Sequence, residues 1–379
     1  MLLDYETLRL LWWALLGVLL IGFAVTDGFD LGTAMLLPIV GRTDIERRIV
    51  INTVGPVWEG NQVWFVLGGG AIFAAWPLLY GAAFSGFYLA MLLLLAALIL
   101  RPVGFKFRSK IEDRRWRNAW DTALFIGGFV PALVFGVAFG NALQGVPFEF
   151  DDTLRMTYKG DLWGLFNPFA LLCGLVSVAM LTMHGAAYLC CKTENPVRGR
   201  ASVAGATAAV SVIVLFALAG FSAVHVPFFA IQSVIDPNGP SNPLLKSVMV
   251  GEGLLLRNYS LHSWIVVAPV LGFLGAAAAG YLMTRRRAAG WALVASGASI
   301  AGIIATAGLS MFPFFLPSTL DPKSGLTVWD ASSSQSTLLT MLIVTALLLP
   351  IVLAYTAWVY RVLRGRVTAA SVSADKHSY

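Results

Sequence analysis

The chain has 379 residues, 58% of them hydrophobic and only 12% charged, with a formal net charge of +6. That charged fraction is about half of the ~25% usual in soluble domains. Apolar runs of about 20 residues, the length a bilayer core requires, recur from end to end. A soluble enzyme is excluded, and the sequence reads as an all-α integral membrane protein, a single polytopic domain over 1–379.

The first apolar run covers 8–40. It has no basic leader and no small-residue cleavage site, so it is expected to stay as a spanning helix. Within it stands Thr26-Asp27-Gly28-Phe29-Asp30. A charge at the centre of a spanning helix costs roughly 2.5–3.5 kcal/mol on insertion scales. Asp27 and Asp30 are spaced i, i+3 and share a face. Gly28 and Gly32 let another element approach that face.

A weaker run over 58–76 carries Glu59, Asn61, Gln62 and three consecutive glycines, Gly68 to Gly70. The glycines read as a tight helix-crossing site. The next run, 78–100, ends at Arg101. The basic, aromatic stretch Arg101–Lys110 after it is assigned to lipid headgroups, not to nucleic acid. Asp121 opens the run 119–140 and is read as a carboxylate stabilised by the helix dipole.

Further runs cover 164–189, 203–223, 262–283, 290–311 and 336–360. Helices 1–4 thus occupy about 8–140, helices 5–8 about 164–311 and helix 9 about 336–360, followed by a tail over 361–379. Two four-helix bundles plus one peripheral helix are expected. Cys173 and the vicinal pair Cys190-Cys191 form no disulfide framework and read as packing thiols. Pro237 to Pro243 has turn chemistry, and Asp330, Ser332 and Ser333 are candidate caps for the last helix.

Basic residues decide the topology. With nine spans, six of the 26 Lys and Arg lie on one side and twenty on the other. Omitting 58–76 would split the basic loops between both sides. The positive-inside rule therefore favours nine spans, with the N-terminus periplasmic and the C-terminus cytoplasmic. Eleven of the twelve tryptophans fall near one boundary or the other, as aromatic belts do; Trp64 alone lies within a span. Gly174 and Gly185 repeat the spacing of Gly17 and Gly28, which places His184 at the position equivalent to Asp27.

Asp27, Asp30, Glu59 and Arg101 all fall in the cytoplasmic half on three neighbouring helices. Thr26, Asn61 and Gln62 supply polar support. Desolvated acids beside an arginine suit proton transfer, and they equally suit a structural ion pair. Of four histidines only His184 is in a span. Haem iron needs axial His, Met or Cys, and a lone embedded histidine reads as a hydrogen-bonded core residue. No metal or nucleophile constellation is visible.

The runs Gly22 to Gly32, Glu46-Arg47-Arg48-Ile49, Trp58 to Trp64, Phe73 to Pro77, Ala83 to Tyr88, Arg101 to Phe105, Phe139 to Phe148, Met311 to Phe314 and Leu326 to Asp330 carry a resemblance. Together, in order, they resemble subunit II of the cytochrome bd ubiquinol oxidases. That resemblance implies a bacterial inner-membrane subunit of a terminal oxidase that oxidises quinol and reduces oxygen to water. It implies a partner subunit I bearing haem b558, haem b595 and haem d, a place for a structural ubiquinone, and a small single-helix accessory subunit. Carried over residue by residue, it implies a proton route through Asp27, Asp30, Glu59 and Arg101, with Tyr379 near the entrance. Many relatives have aspartate where this chain has Glu59. The competing readings are a proton-coupled secondary transporter and a purely structural assembly subunit.

Overall fold

The computed structural model describes residues 3–285 and 288–374. Thirteen helices are described: α1 (Tyr5–Val40), α2 (Asp44–Val54), α3 (Trp58–Ala75), α4 (Pro77–Gly86), α5 (Tyr88–Phe107), α6 (Arg114–Gln144), α7 (Pro168–Lys192), α8 (Val197–Ala223), α9 (Arg257–Leu261), α10 (Val267–Met283), α11 (Ala289–Met311), α12 (Gln335–Val362) and α13 (Ala369–Ala374). Among the described residues eight helices are long and apolar enough to cross a membrane. The segment 58–76, counted as a ninth span, is helical as α3 but is not among those eight, because its glutamate, asparagine and glutamine make it too polar. The 18 residues of α3 nevertheless run from beside Lys106, where Glu59 sits, to Ser333, whose N–H donates to the Ala75 carbonyl.

The packing follows the expected grouping. The chain's first half packs as α1, α3, α5 and α6, and the second as α7, α8, α10 and α11. The halves join where α7 lies against α1 and α6, while α12 docks on α1 and α3. The α1–α7 crossing needs glycine. A methyl group at Gly32 would stand 2.0 Å from the Leu181 carbonyl oxygen, and one at Gly185 would stand 2.5 Å from the Gly32 carbonyl carbon. No such crossing exists at Gly68 to Gly70, where an added methyl would meet nothing within 4 Å. Those glycines face open space within this chain, contrary to the expectation of a tight crossing.

Two elements depart from the sequence reading. The run 78–100 is not one helix but α4 and α5, separated at Phe87. The loops facing away from the basic residues are not wholly irregular. They fold into three antiparallel hairpins: β1 (Phe148–Phe150) with β2 (Met156–Tyr158), β3 (Phe228–Ile231) with β4 (Val248–Gly251), and β5 (Phe314–Leu316) with β6 (Leu326–Thr327). Phe228, Phe229 and Phe314 pack into a small aromatic core there. The hairpins pair their own backbone groups, which satisfies the obligation that buried N–H and C=O carry.

At this hairpin face Arg9 is buried, donating to the Pro237 carbonyl, to the Gly239 carbonyl at 3.1 Å and to Ser241 Oγ at 2.9 Å. Lys246 pairs with Asp330 at 2.8 Å. Burial lowers the Lys246 ammonium below its ordinary value, and Asp330 offsets part of that. Asp330 is therefore not the cap of α12. Its Oδ1 accepts from the Thr327 N–H, and Ser334 caps the helix by accepting from the Thr337 N–H.

Candidate functional site

The buried polar site lies between α1, α3, α5 and α12. Asp4 caps the start of α1 by accepting from the Thr7 N–H, and the apolar run carries the helix through to Val40. Asp27 and Asp30 fall on its inward face and are 1% and 0% exposed. Arg101, six residues from the end of α5, reaches Asp27 with both terminal nitrogens. Nη1 donates to Oδ2 at 3.0 Å and Nη2 to Oδ1 at 2.6 Å. The pair is bidentate, the geometry in which arginine and carboxylate bind most strongly. Arg101 does not snorkel; its side chain is 1% exposed.

Asp30 has a different environment. Asn61 Nδ2 donates to its Oδ2 at 2.8 Å, while its buried Oδ1 has no hydrogen-bond partner among the described residues. The Tyr360 hydroxyl of α12 in turn donates to Asn61 Oδ1 at 2.5 Å. Phe29, between the two acids in sequence, stacks on Tyr188 of α7 with ring centroids 4.0 Å apart. The Tyr188 hydroxyl donates to the Thr53 carbonyl at 2.7 Å.

The expected constellation is therefore assembled in part. Asp27, Asp30, Asn61 and Arg101 come together. Glu59 does not join them. Its side chain is 68% exposed and lies 3.9 Å from Lys106. Gln62, one turn along on the same side of α3, is half-buried. Thr26 donates to the Gly22 carbonyl of its own helix at 2.7 Å, not to an acid. Tyr379 lies outside the described residues. Tyr360 was not foreseen. Its only sequence signal is a hydroxyl-bearing ring in an apolar run, where a buried tyrosine needs a partner for its O–H.

A second ionic cluster sits at the basic face and corrects two expectations. Asp121 is not merely a helix-end carboxylate. It accepts from Arg108 Nε at 2.5 Å and from Arg47 Nη1 at 2.7 Å. Asp44 receives Arg108 at 3.1 Å and Arg117 at 2.8 Å. Arg108 thus turns inward with its side chain 1% exposed, so the stretch Arg101–Lys110 does not present all its charge to lipid. Glu46 accepts from the backbone N–H groups of Arg42 and Thr43 and pairs with Arg200 at 2.7 Å.

His184 is a buried, hydrogen-bonded core residue. Nδ1 contacts Ser296 Oγ at 2.7 Å, and Nε2 meets the Val25 carbonyl at 2.9 Å. A carbonyl only accepts, so Nε2 carries the proton. Both ring nitrogens are engaged by protein, and His184 offers no free nitrogen to an axial haem position.

What the main site can do follows from its charge. Isolated charges in the membrane interior are expensive, and pairing is what makes them tolerable. One arginine balances one of the two carboxylates. The Asp27–Asp30–Arg101 group therefore carries one carboxylate more than its arginine balances, and among the described residues Asp30 Oδ1 is the oxygen without a partner.

Comparison with known proteins agrees with this architecture. Residues 8–363 match the family described as cytochrome bd terminal oxidase subunit II. The chain is 50% identical over 376 residues to the Escherichia coli cytochrome bd-I ubiquinol oxidase subunit 2, covering 99% of both chains. It is 48% identical over 375 residues to a probable cytochrome oxidase subunit 2 of Haemophilus influenzae, again with 99% of both covered. A cytochrome bd ubiquinol oxidase subunit 2 of Bacillus subtilis is 31% identical over 94% of this chain and 96% of its own. The bd oxidase structure from Geobacillus thermodenitrificans superposes with a TM-score of 0.69 at 17% identity, over 94% of this chain and 98% of that one, and shows the same fold. The chain belongs to the cytochrome bd terminal oxidase subunit II family. It is a multi-pass bacterial inner-membrane component of a respiratory quinol oxidase complex, whose subunit I is its partner and which contains haem.

Proposed function

We propose that this chain supports the haem-bearing subunit I and supplies it with protons through the Asp27–Arg101 and Asp30–Asn61 group. The complex oxidises quinol and reduces oxygen to water, which consumes protons. In this reading the N-terminus is periplasmic and the basic face cytoplasmic, α3 spans as a ninth helix, and protons enter from the basic side. Glu59, exposed beside Lys106 at that end, serves as a surface acid ahead of Asp27 and Asp30, with Tyr379 near the entrance. Thr26 and Gln62 are supporting polar groups.

The redox centres, haem b558, haem b595 and haem d, belong in this reading to subunit I. The commitment of both His184 nitrogens to Ser296 and Val25 supports that assignment. A structural ubiquinone, lipids and a single-helix accessory subunit complete the proposed partners. The chain is then a non-catalytic subunit of a quinol:oxygen oxidoreductase.

The observation that carries the proton role is the charge count: two buried carboxylates share one arginine, and Asp30 Oδ1 has no partner among the described residues. A purely structural ion pair needs only Asp27 and Arg101, and leaves Asp30 as unexplained cost. The test is Asp30→Asn in the assembled complex. Oxygen turnover is expected to fall about tenfold or more, a barrier change of about 1.4 kcal/mol or greater, with haem absorbance retained. Full turnover in that variant would leave Asp30 inert. Loss of haem together with turnover would assign it to assembly.

A further inference from the structure

Granting Asp30 the proton role proposed above, we propose that Tyr360 is a positioning residue whose hydroxyl locks the Asn61 side chain in place, so that the amide nitrogen drawn to ionised Asp30 stays within hydrogen-bond reach of it. A carboxamide has nearly the same shape in either orientation, and its hydrogen-bond partners decide which is adopted. Asn61 is 2% exposed. Its Oδ1 accepts from the Tyr360 hydroxyl at 2.5 Å, and its Nδ2 donates to Asp30 Oδ2 at 2.8 Å. Tyr360 is the one donor to Asn61 Oδ1 among the described residues.

The two orientations differ in what they offer the acid. An amide N–H offered to Asp30 meets a charged carboxylate oxygen. An amide oxygen offered there can be met only by a protonated carboxyl, since an ionised carboxylate has no hydrogen to donate. With Oδ2 held by the amide nitrogen, Oδ1 remains the oxygen at which a proton arrives and leaves. Without the Tyr360 hydroxyl the Asn61 oxygen has no donor among the described residues, and the amide is free to swing away from Asp30. Tyr360 opposes that movement.

The lock reaches across the molecule. Tyr360 belongs to α12, which rests on α1 and α3 and leaves most of its apolar surface uncovered within this chain. The other titratable and charged groups facing Asp30 are Asp27 on its own helix, Arg101 of α5 and Tyr188 of α7. None of these bonds to the Asn61 oxygen.

The test uses the whole oxidase complex. Tyr360→Phe removes one oxygen atom and is expected to lower kcat about fivefold, the worth of one hydrogen bond. Haem content and the KM for quinol should stay unchanged. Asn61→Leu should slow turnover at least as much, and it serves as the second variant if Tyr360→Phe fails to assemble. In the Asn61→Leu background Tyr360→Phe should have no further effect. The infrared carboxyl band that disappears in Asp30→Asn should shift in Tyr360→Phe. Unchanged kcat in fully assembled Tyr360→Phe, or losses that multiply in the double variant, would overturn the lock. If Asp30→Asn itself turns over normally, the proton role falls along with it. If Asp30→Asn is slow while Tyr360→Phe is normal, only the lock falls.

Discussion

Glu59 and Asn61 stand two residues apart on α3 and face opposite ways: Asn61 donates to Asp30 in the interior, and Glu59 lies beside Lys106 on the outside. Two residues on a helix are about 200° apart, so they cannot share a face. The polar signature of this segment therefore serves two environments. One residue is part of the buried Asp27–Asp30–Arg101 cluster, and the other stands at the surface.

Glu59→Gln should accordingly leave stability almost unchanged. An exposed ion pair is worth about 0–1 kcal/mol. Thermal inactivation of the purified complex should shift little. Oxygen turnover is the measurement that discriminates: a rate equal to the unmutated complex would remove Glu59 from the proton route.

The Asp27–Arg101 pair should behave in the opposite way. Removing one partner of a buried pair costs about 3–5 kcal/mol, because the other charge is stranded. Asp27→Asn is expected to reduce assembled, haem-containing complex. Asp27→Asn combined with Arg101→Gln should restore assembly without restoring turnover. Haem absorbance and oxygen consumption on the same preparations separate the two effects.

Gly32→Ala should disrupt the α1–α7 crossing, since its methyl group would lie 2.0 Å from a backbone oxygen that has no freedom to move aside. Overpacking of this kind costs about 1–3 kcal/mol or more. Gly17→Ala on the same helix is the control, because nothing lies within 4 Å of its added methyl. Yields of assembled complex should fall for the first and hold for the second.

Glu46 gives a pH dependence with a definite sign. Burial raises its carboxyl, but the Arg200 hydrogen bond and the Arg42 and Thr43 N–H groups outweigh that and hold it below its ordinary 4.5. The unfolded chain then binds more protons in the acid range than the folded one. The stabilisation is fully present above 4.5 and is lost as pH falls through the depressed folded value. Glu46→Gln should lower thermal stability near neutral pH by about 1 kcal/mol. That difference should close in acid. A gap that persists unchanged there would show that the side chain acts through packing and not through charge.

Much of this molecule was legible because the bilayer restricts what a chain can do. Run lengths located the long helices, and the segregation of Lys and Arg favoured counting 58–76. Both depend only on composition along the sequence. The break at Phe87 was hidden because its flanks are uniformly apolar. The hairpins were hidden because short strands in connecting loops carry too few residues for a period to show. At the site, the i, i+3 spacing of Asp27 and Asp30 was readable within one helix. The rotational phase of α3 against α1 was not, which is why Glu59 was grouped with residues it does not touch. Tyr360 comes from α12, the last long helix, more than 290 positions after Asn61, and no local pattern relates the two.

The N-terminal turns of α1 are fastened by residues made long after them. Trp12 donates to the Leu338 carbonyl across 326 positions, and the Tyr5 hydroxyl donates to the Ser333 carbonyl across 328. Arg9 waits for Pro237, Gly239 and Ser241. A ribosome works from the N-terminus, so the first span made is among the last to be secured at its N-terminal end. Until the segment 237–241 emerges, Arg9 is a positive charge without its final partners at the mouth of the first helix. A nascent chain stopped before about position 330 carries a first helix held at Arg9 alone, and the arrival of Ser333 and Leu338 closes the clasp at Tyr5 and Trp12.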